Sequence, residues 1–321
     1  MLIVSLWFNF GVPSTRFPPN PTPHPPMTTP PVIELRQLVR RYGSTDAVHG
    51  LDLTVRAGTC YGFFGRNGAG KTTTIKCLLN LLRPTSGTVR LFGLDPARDE
   101  VAVKSRLAYV PDVVAFHPWM TVDAVLTYVA SFRTHWNLKL QSELLDRFRL
   151  DPTKSVKALS KGQRTQLGLI TALCPEPELL VLDEPTSGLD PIIRREFIQT
   201  VIGAYQEADP ERRTIFVSTH LITEFEGLID EFTIIDAGRS VLHLEADQAR
   251  QRYQRIRARF PGEPPVLSHS GILRSRCEGR ELEIIARDHG DALLQQLRQH
   301  APESLTTEAL TLEEIFLATL Q

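Results

Sequence analysis

The chain has 321 residues, 42% of them hydrophobic and 23% charged, enough for one large domain and a smaller one around a buried core. Its 36 Lys and Arg against 37 Asp and Glu give a formal net charge of -1, which argues against recruitment of nucleic acid or an anionic lipid surface by overall charge. The four cysteines, Cys60, Cys77, Cys174 and Cys277, form no C-x-x-C pair, which argues against a zinc site or a dithiol redox motif, and no run approaches the ~20 apolar residues of a spanning helix.

Residues 1–31 begin MLIVSLWFNF and continue into the Pro-rich tract FPPNPTPHPPMTTPP, which cannot build a packed core. With no basic n-region and no small-residue cleavage site, this reads as a disordered leader rather than a signal peptide, and Met27 is an alternative start. VIELRQLVRRYG and AVHGLDLTVRAG then alternate like antiparallel strands turning at Gly43-Ser44. From Cys60 onward strands and helices take turns, as in an α/β domain with a largely parallel sheet. A buried strand is expected at 60–64 and a helix at 72–82. The spacing predicts a helical lobe at 123–132 and 143–148, and buried strands at 178–182 and 214–217. Residues 32–245 are thereby assigned to a main domain and 246–321 to a small α+β domain. The latter has strands at 255–260 and 272–287, turning at Glu278-Gly279, and amphipathic helices at 292–297 and 312–320.

Chemistry concentrates at two places. Gly65, Arg66, Asn67, Gly68, Ala69, Gly70, Lys71 and Thr72, with Thr73 behind them, fit G-x-x-x-x-G-K-[ST] between a strand and a helix. The glycines let the backbone approach phosphate oxygens, the helix N-terminus favours an anion, Lys71 reaches the β- and γ-phosphates, and the Thr72 hydroxyl is suited to Mg²⁺. ATP or GTP is the expected ligand. The apolar run at 179–182 ends in Asp183 and Glu184, the first expected to hold Mg²⁺ directly or through water and the second to act as general base on an attacking water.

Between these two elements, Leu159-Ser160-Lys161-Gly162-Gln163 resembles LSGGQ, the signature of the ATP-binding cassette family. The resemblance spans about residues 32–244. It implies a P-loop NTPase cassette with a mostly parallel core sheet, an antiparallel β subdomain and a helical lobe. It further implies that Ser160, Gly162 and Gln163 meet the γ-phosphate of ATP bound by an opposite subunit, and that Tyr42 stacks on adenine. By the same likeness Ser187-Gly188-Leu189-Asp190 is the loop between the two subunits' sites, and His220 is the switch histidine that helps to place the attacking water. Two positions depart from the pattern. Asp112 stands where the family usually has Gln, and is carried over as a metal-sensing residue. Lys161 replaces the first glycine of the signature, where it either contacts phosphate or faces solvent.

As a member of such a family the chain is expected to hydrolyse ATP with Mg²⁺, to pair with a second cassette, and to drive export through a separate transmembrane permease. That would place it on the cytoplasmic face of the plasma membrane, with no nucleic acid partner. The segment Val113 to Met120, with Phe116 and Trp119, is the expected docking neighbourhood. The alternatives are a soluble cassette ATPase acting on ribosomes or nucleic acid, and an importer ATPase.

Overall fold

Apolar residues at alternate positions build β1 (Ile33–Tyr42) and β2 (Thr45–Val55), an antiparallel hairpin that turns through the left-handed Gly43. The computed structural model describes residues 30–206, 213–288 and 290–320, so the leader read at 1–31 falls almost wholly outside the described residues. The buried run Cys60–Phe64 forms β3 and feeds the P-loop and α1 (Lys71–Leu78). This helix is shorter than its pattern suggests, because Asn80 adopts φ 55 and the Leu81 N–H donates to the Lys76 carbonyl at 2.8 Å, closing the last turn. Next come β4 (Ser86–Leu91), α2 (Glu100–Lys104) and β5 (Leu107–Val110).

In the helical lobe, Thr121 caps α3 (Val122–Ala130) and Asn137 caps α4 (Leu138–Phe148), each side chain accepting a backbone N–H of the first turn. The Asn137 cap starts α4 earlier than apolar spacing alone suggests. After these follow α5 (Lys161–Leu173), β6 (Leu179–Asp183), α6 (Pro191–Gln206), β7 (Thr214–Thr219), β8 (Glu231–Asp236) and β9 (Arg239–Glu245). The remaining elements are α7 (Ala246–Arg252), β10 (Tyr253–Arg259), β11 (Ile272–Glu278), β12 (Glu281–Arg287), α8 (Gly290–Gln299), β13 (Ser304–Ala309) and α9 (Leu312–Thr319).

The central sheet runs β5-β6-β7-β3-β8-β9, parallel throughout except for β9. Its residues are sorted by the period of two: Phe64, Leu180, Leu182 and Val217 pack on the face covered by the lobe helices and α5, whereas Tyr61, Phe63, Val181 and Phe216 pack on the face shared with α1 and the β2-β1-β4 sheet. Because β3, β6 and β7 are parallel neighbours, the loops leaving their C-terminal ends converge on one edge. That edge carries the P-loop, Asp183, Glu184 and His220.

The C-terminal strands form a third sheet, β11-β12-β10-β13. One face buries Ile256, Ala258, Leu282 and Ile284 against Leu293 and Leu297 of α8. Tyr253, Ile285 and the α9 residues Leu312, Ile315 and Phe316 instead join the core beneath β6 and β7, together with Ile222 and Phe225. The Leu312 N–H donates to Glu226 Oε1 at 2.9 Å, and the Arg66 guanidinium of the P-loop donates to the Leu320 carbonyl at 3.2 Å.

Candidate active site

The P-loop turns out of β3 through glycines that a side chain would strain or crowd. Gly68 and Gly70 are left-handed at φ 84 and 105, and a Cβ on Gly70 would stand 2.4 Å from the Ala47 carbonyl oxygen. A Cβ on Gly65 would meet the Ile235 carbonyl at 2.6 Å. The Gly238 N–H braces the loop from behind by donating to the Ala69 carbonyl at 3.0 Å. No side chain caps α1, so the first N–H groups of Lys71, Thr72 and Thr73 are the free ends of a helix dipole. Such a cradle fits phosphate. Asn67 and Gly68 are exposed at its rim, beside Arg66.

Five of the expected residues meet in one cluster. Lys71 is buried and donates to the Gly65 and Arg66 carbonyls at 2.7 and 3.3 Å, while its ammonium forms an ion pair with Glu184 Oε1 at 2.9 Å. The other Glu184 oxygen lies 2.7 Å from His220 Nδ1 and also faces the Thr219 hydroxyl and the His220 N–H, each at 3.4 Å. Glu184 is held there by its own backbone: it leaves β6 at φ 47, rare for a residue with a side chain, and its N–H donates to the Ser218 carbonyl at 2.8 Å. Asp183, one residue earlier, is buried at the strand end. Its Oδ1 accepts from the Thr72 hydroxyl at 3.3 Å and its Oδ2 from the Tyr109 hydroxyl at 3.5 Å.

Burial pushes the Asp183 carboxyl above the usual carboxylate range; the Thr72 hydrogen bond opposes this, the Glu184 charge adds to it, and the Lys71 charge opposes it. The Tyr109 hydroxyl is likewise pushed up, by burial and then by Asp183, and so stays a donor. A buried acid beside a hydroxyl, both hard oxygen donors, suits a small divalent cation that would repay the desolvation of the charge. Asp112 lies exposed past the end of β5, near enough for its charge to act on Tyr109.

The signature residues form a second cluster. Ser160 caps α5 in a reciprocal box, its hydroxyl accepting the Gln163 N–H and Gln163 Oε1 accepting the Ser160 N–H, both at 3.1 Å. Gly162 is buried, where a Cβ would stand 2.7 Å from Ile193 Cδ1 on α6. Asp190 caps α6, its Oδ1 accepting from the Ile192 and Ile193 N–H groups at 3.1 Å. Lys161, exposed at the start of α5, donates its ammonium to the Ser187 carbonyl of the same chain at 2.7 Å. Tyr42 stands at the tip of β1, 46% exposed, with the Arg40 guanidinium 4.6 Å over its ring.

One surface feature has no counterpart in the sequence reading. An open groove of about 620 Å³ runs between the turn after α1, α2, β5 and the C-terminal end of α3, and its lining includes Leu81, Val101 and Phe132, exposed by 55, 84 and 71%. In the segment 113–120, by contrast, Phe116 packs against the core while Trp119 stays exposed, stacked on His117.

The ABC transporter family profile matches residues 48–187. The chain is 35% identical over 223 residues to the bacitracin transport ATP-binding protein BcrA of Bacillus licheniformis, covering 69% of this chain and 72% of that protein. To the Nod factor export ATP-binding protein I of Ralstonia nicotianae it is 34% identical over 230 residues, 68% of each. A solved ATP-binding subunit of an ABC transporter shares the fold with a TM-score of 0.62 and 25% identity, over 68% of this chain and 92% of that one. The loop that cradles phosphate and the carboxylates facing it thus have kin along most of the chain, which belongs to the ABC transporter family as an ATP-binding subunit that hydrolyses ATP to drive transport.

Proposed function

We propose that this subunit powers export through a separate membrane-spanning permease, each cycle closing two cassettes face to face on ATP. The observation that carries the reading is the Lys71-Glu184-His220 cluster at the mouth of the P-loop. With nucleotide seated, Lys71 would transfer its ammonium from Glu184 to phosphate oxygens, freeing the carboxylate to take a proton from an attacking water oriented by His220. Thr72 and Asp183 would hold Mg²⁺, which when bound supplies positive charge against the phosphates. Tyr42 would stack on the adenine. Ser160, Gly162 and Gln163 would complete the partner's site across a two-fold axis, with Asp190 alongside.

The permease reading is supported by the two relatives, whose names state bacitracin transport and Nod factor export, and by the groove. Among the described residues no helix is long and apolar enough to cross a membrane. Exposed apolar side chains gathered in one groove mark a docking surface, so the subunit would sit on the cytoplasmic face through a helix of the permease laid between α2 and the end of α3. The test is a pull-down from detergent-solubilised membranes with ATP, using Glu184→Gln to hold the closed state. A polytopic membrane protein is expected, and Phe132→Asp should lose it while keeping ATPase activity. Recovery of ribosomal or DNA-associated proteins with no permease would overturn the reading in favour of a soluble ATPase.

A further inference from the structure

The loop Ser187–Asp190 is held by a cation at each end. On one side Lys161, the residue that departs from the signature pattern, donates to the Ser187 carbonyl at 2.7 Å. The fit is close: Gly188 is left-handed at φ 66, and a Cβ there would stand 2.7 Å from the Lys161 ammonium nitrogen. On the other side Arg194 of α6 donates to the Leu189 carbonyl at 3.1 Å and pairs with Glu224 at 2.7 Å. Glu224 lies in the short 3-10 turn Ile222–Glu224, which begins two residues after His220, whose ring meets Glu184. A continuous set of polar contacts therefore runs from the signature helix α5, through the loop, to the segment that carries the catalytic histidine. Arg194 Nε and Glu224 Oε2 are buried without a hydrogen-bond partner among the described residues. A network left partly unsatisfied in this way is cheaper to rearrange than a complete one.

We infer that Lys161 and Arg194 are positioning residues that clamp the Ser187–Asp190 loop, so that the signature and the switch segment of one chain move together and the two ATP sites of the closed pair act cooperatively. The inference rests on the two-cassette reading proposed above. Lys161 acts by setting where α5 stands relative to the loop. A lysine suits this task, since its long stem spans from the helix start to a carbonyl on the neighbouring loop. Arginine should keep that contact, and methionine should keep the stem but lose the donor.

The test compares wild type, Lys161→Met, Lys161→Arg and Arg194→Lys as full chains. Three quantities are read: nucleotide affinity of the dilute monomer, the Hill coefficient of ATP hydrolysis, and ATP-induced dimerisation in a Glu184→Gln background. For Lys161→Met the monomer affinity should stay within about twofold, while half-dimerisation needs roughly fivefold more protein, as for one partly exposed charged hydrogen bond. The Hill coefficient should fall from near 2 towards 1. Lys161→Arg should restore both. Arg194→Lys, which lacks the fork to hold a carbonyl and a carboxylate together, should lower the Hill coefficient as Lys161→Met does. A cooperative wild type matched by an equally cooperative Lys161→Met would overturn the inference, and so would equal damage from Met and Arg. A wild type that binds ATP but neither dimerises nor shows cooperativity would instead sink the two-cassette reading beneath it.

Discussion

Replacing Glu184 by Gln tests the catalytic cluster in two independent ways. The carboxylate is one side of an ion pair in which the Lys71 and Glu184 side chains are only 5 and 11% exposed, at 2.9 Å. Breaking such a buried pair by removing one charge ordinarily costs about 3–5 kcal/mol. Here Lys71 keeps the Gly65 and Arg66 carbonyls, and the amide oxygen of Gln remains an acceptor, so a loss of about 1–2 kcal/mol is expected. In a chain of this size that lowers the melting temperature by roughly 1.5–3.5 °C without nucleotide. Catalysis loses its general base and kcat should drop by about 10³-fold, near 4 kcal/mol of barrier. ATP binding should survive, because phosphate takes over the Lys71 ammonium. Phosphate release by the purified protein and thermal unfolding with and without MgATP read both effects. Release within about threefold of wild type would refute Glu184 as the base, and an unchanged melting temperature without nucleotide would refute the energetic weight given to the ion pair.

Gly70→Ala forces a side chain into φ 105 and against the Ala47 carbonyl, so it should cost about 1–3 kcal/mol or more and abolish binding of a fluorescent ATP analogue; retained binding would show that the loop relaxes freely. Asp183→Asn should raise the melting temperature of the nucleotide-free protein at pH 7 while removing any stabilisation by Mg²⁺ with ATP. The sign follows from linkage: a carboxyl with a raised folded pKa erodes stability as pH climbs from the unfolded range of about 4 through the folded value, so the gap between variant and wild type should shrink towards pH 4. A variant less stable at both pH values would contradict the burial argument.

Motifs that carry their own local constraints were legible in the chain. The P-loop announces its geometry because glycine must stand where φ is positive, and the strand before it and helix after it are short-range patterns. Ser160 and Gln163 likewise specify a capped helix within four residues. What escaped detection depends on distant partners. β4 and β13 are mostly exposed on both faces, so neither shows the alternation that reveals a strand; each exists by pairing with β1 or β10. The left-handed turn at Glu184 is set by the Ser218 carbonyl, 34 positions away. The groove is assembled from the turn after α1, α2, β5 and the end of α3, none of which looks unusual alone. Tyr109 meets Asp183 only because β5 and β6 run side by side. Lys161 finds a backbone carbonyl 26 residues on, and a carbonyl leaves no signature in side-chain identity.

The contact between Arg66 and the Leu320 carbonyl joins residues 254 positions apart. A ribosome adding about 5–20 residues per second needs on the order of tens of seconds to connect them. During that time Ile222 and Phe225, which end up in the core with Leu312, Ile315 and Phe316, have no helix α9 to cover them. The P-loop thus emerges well before the residue that completes its contacts. A nascent or truncated chain lacking α9 presents apolar surface beside the segment that carries His220, the kind of surface that chaperones and proteases read.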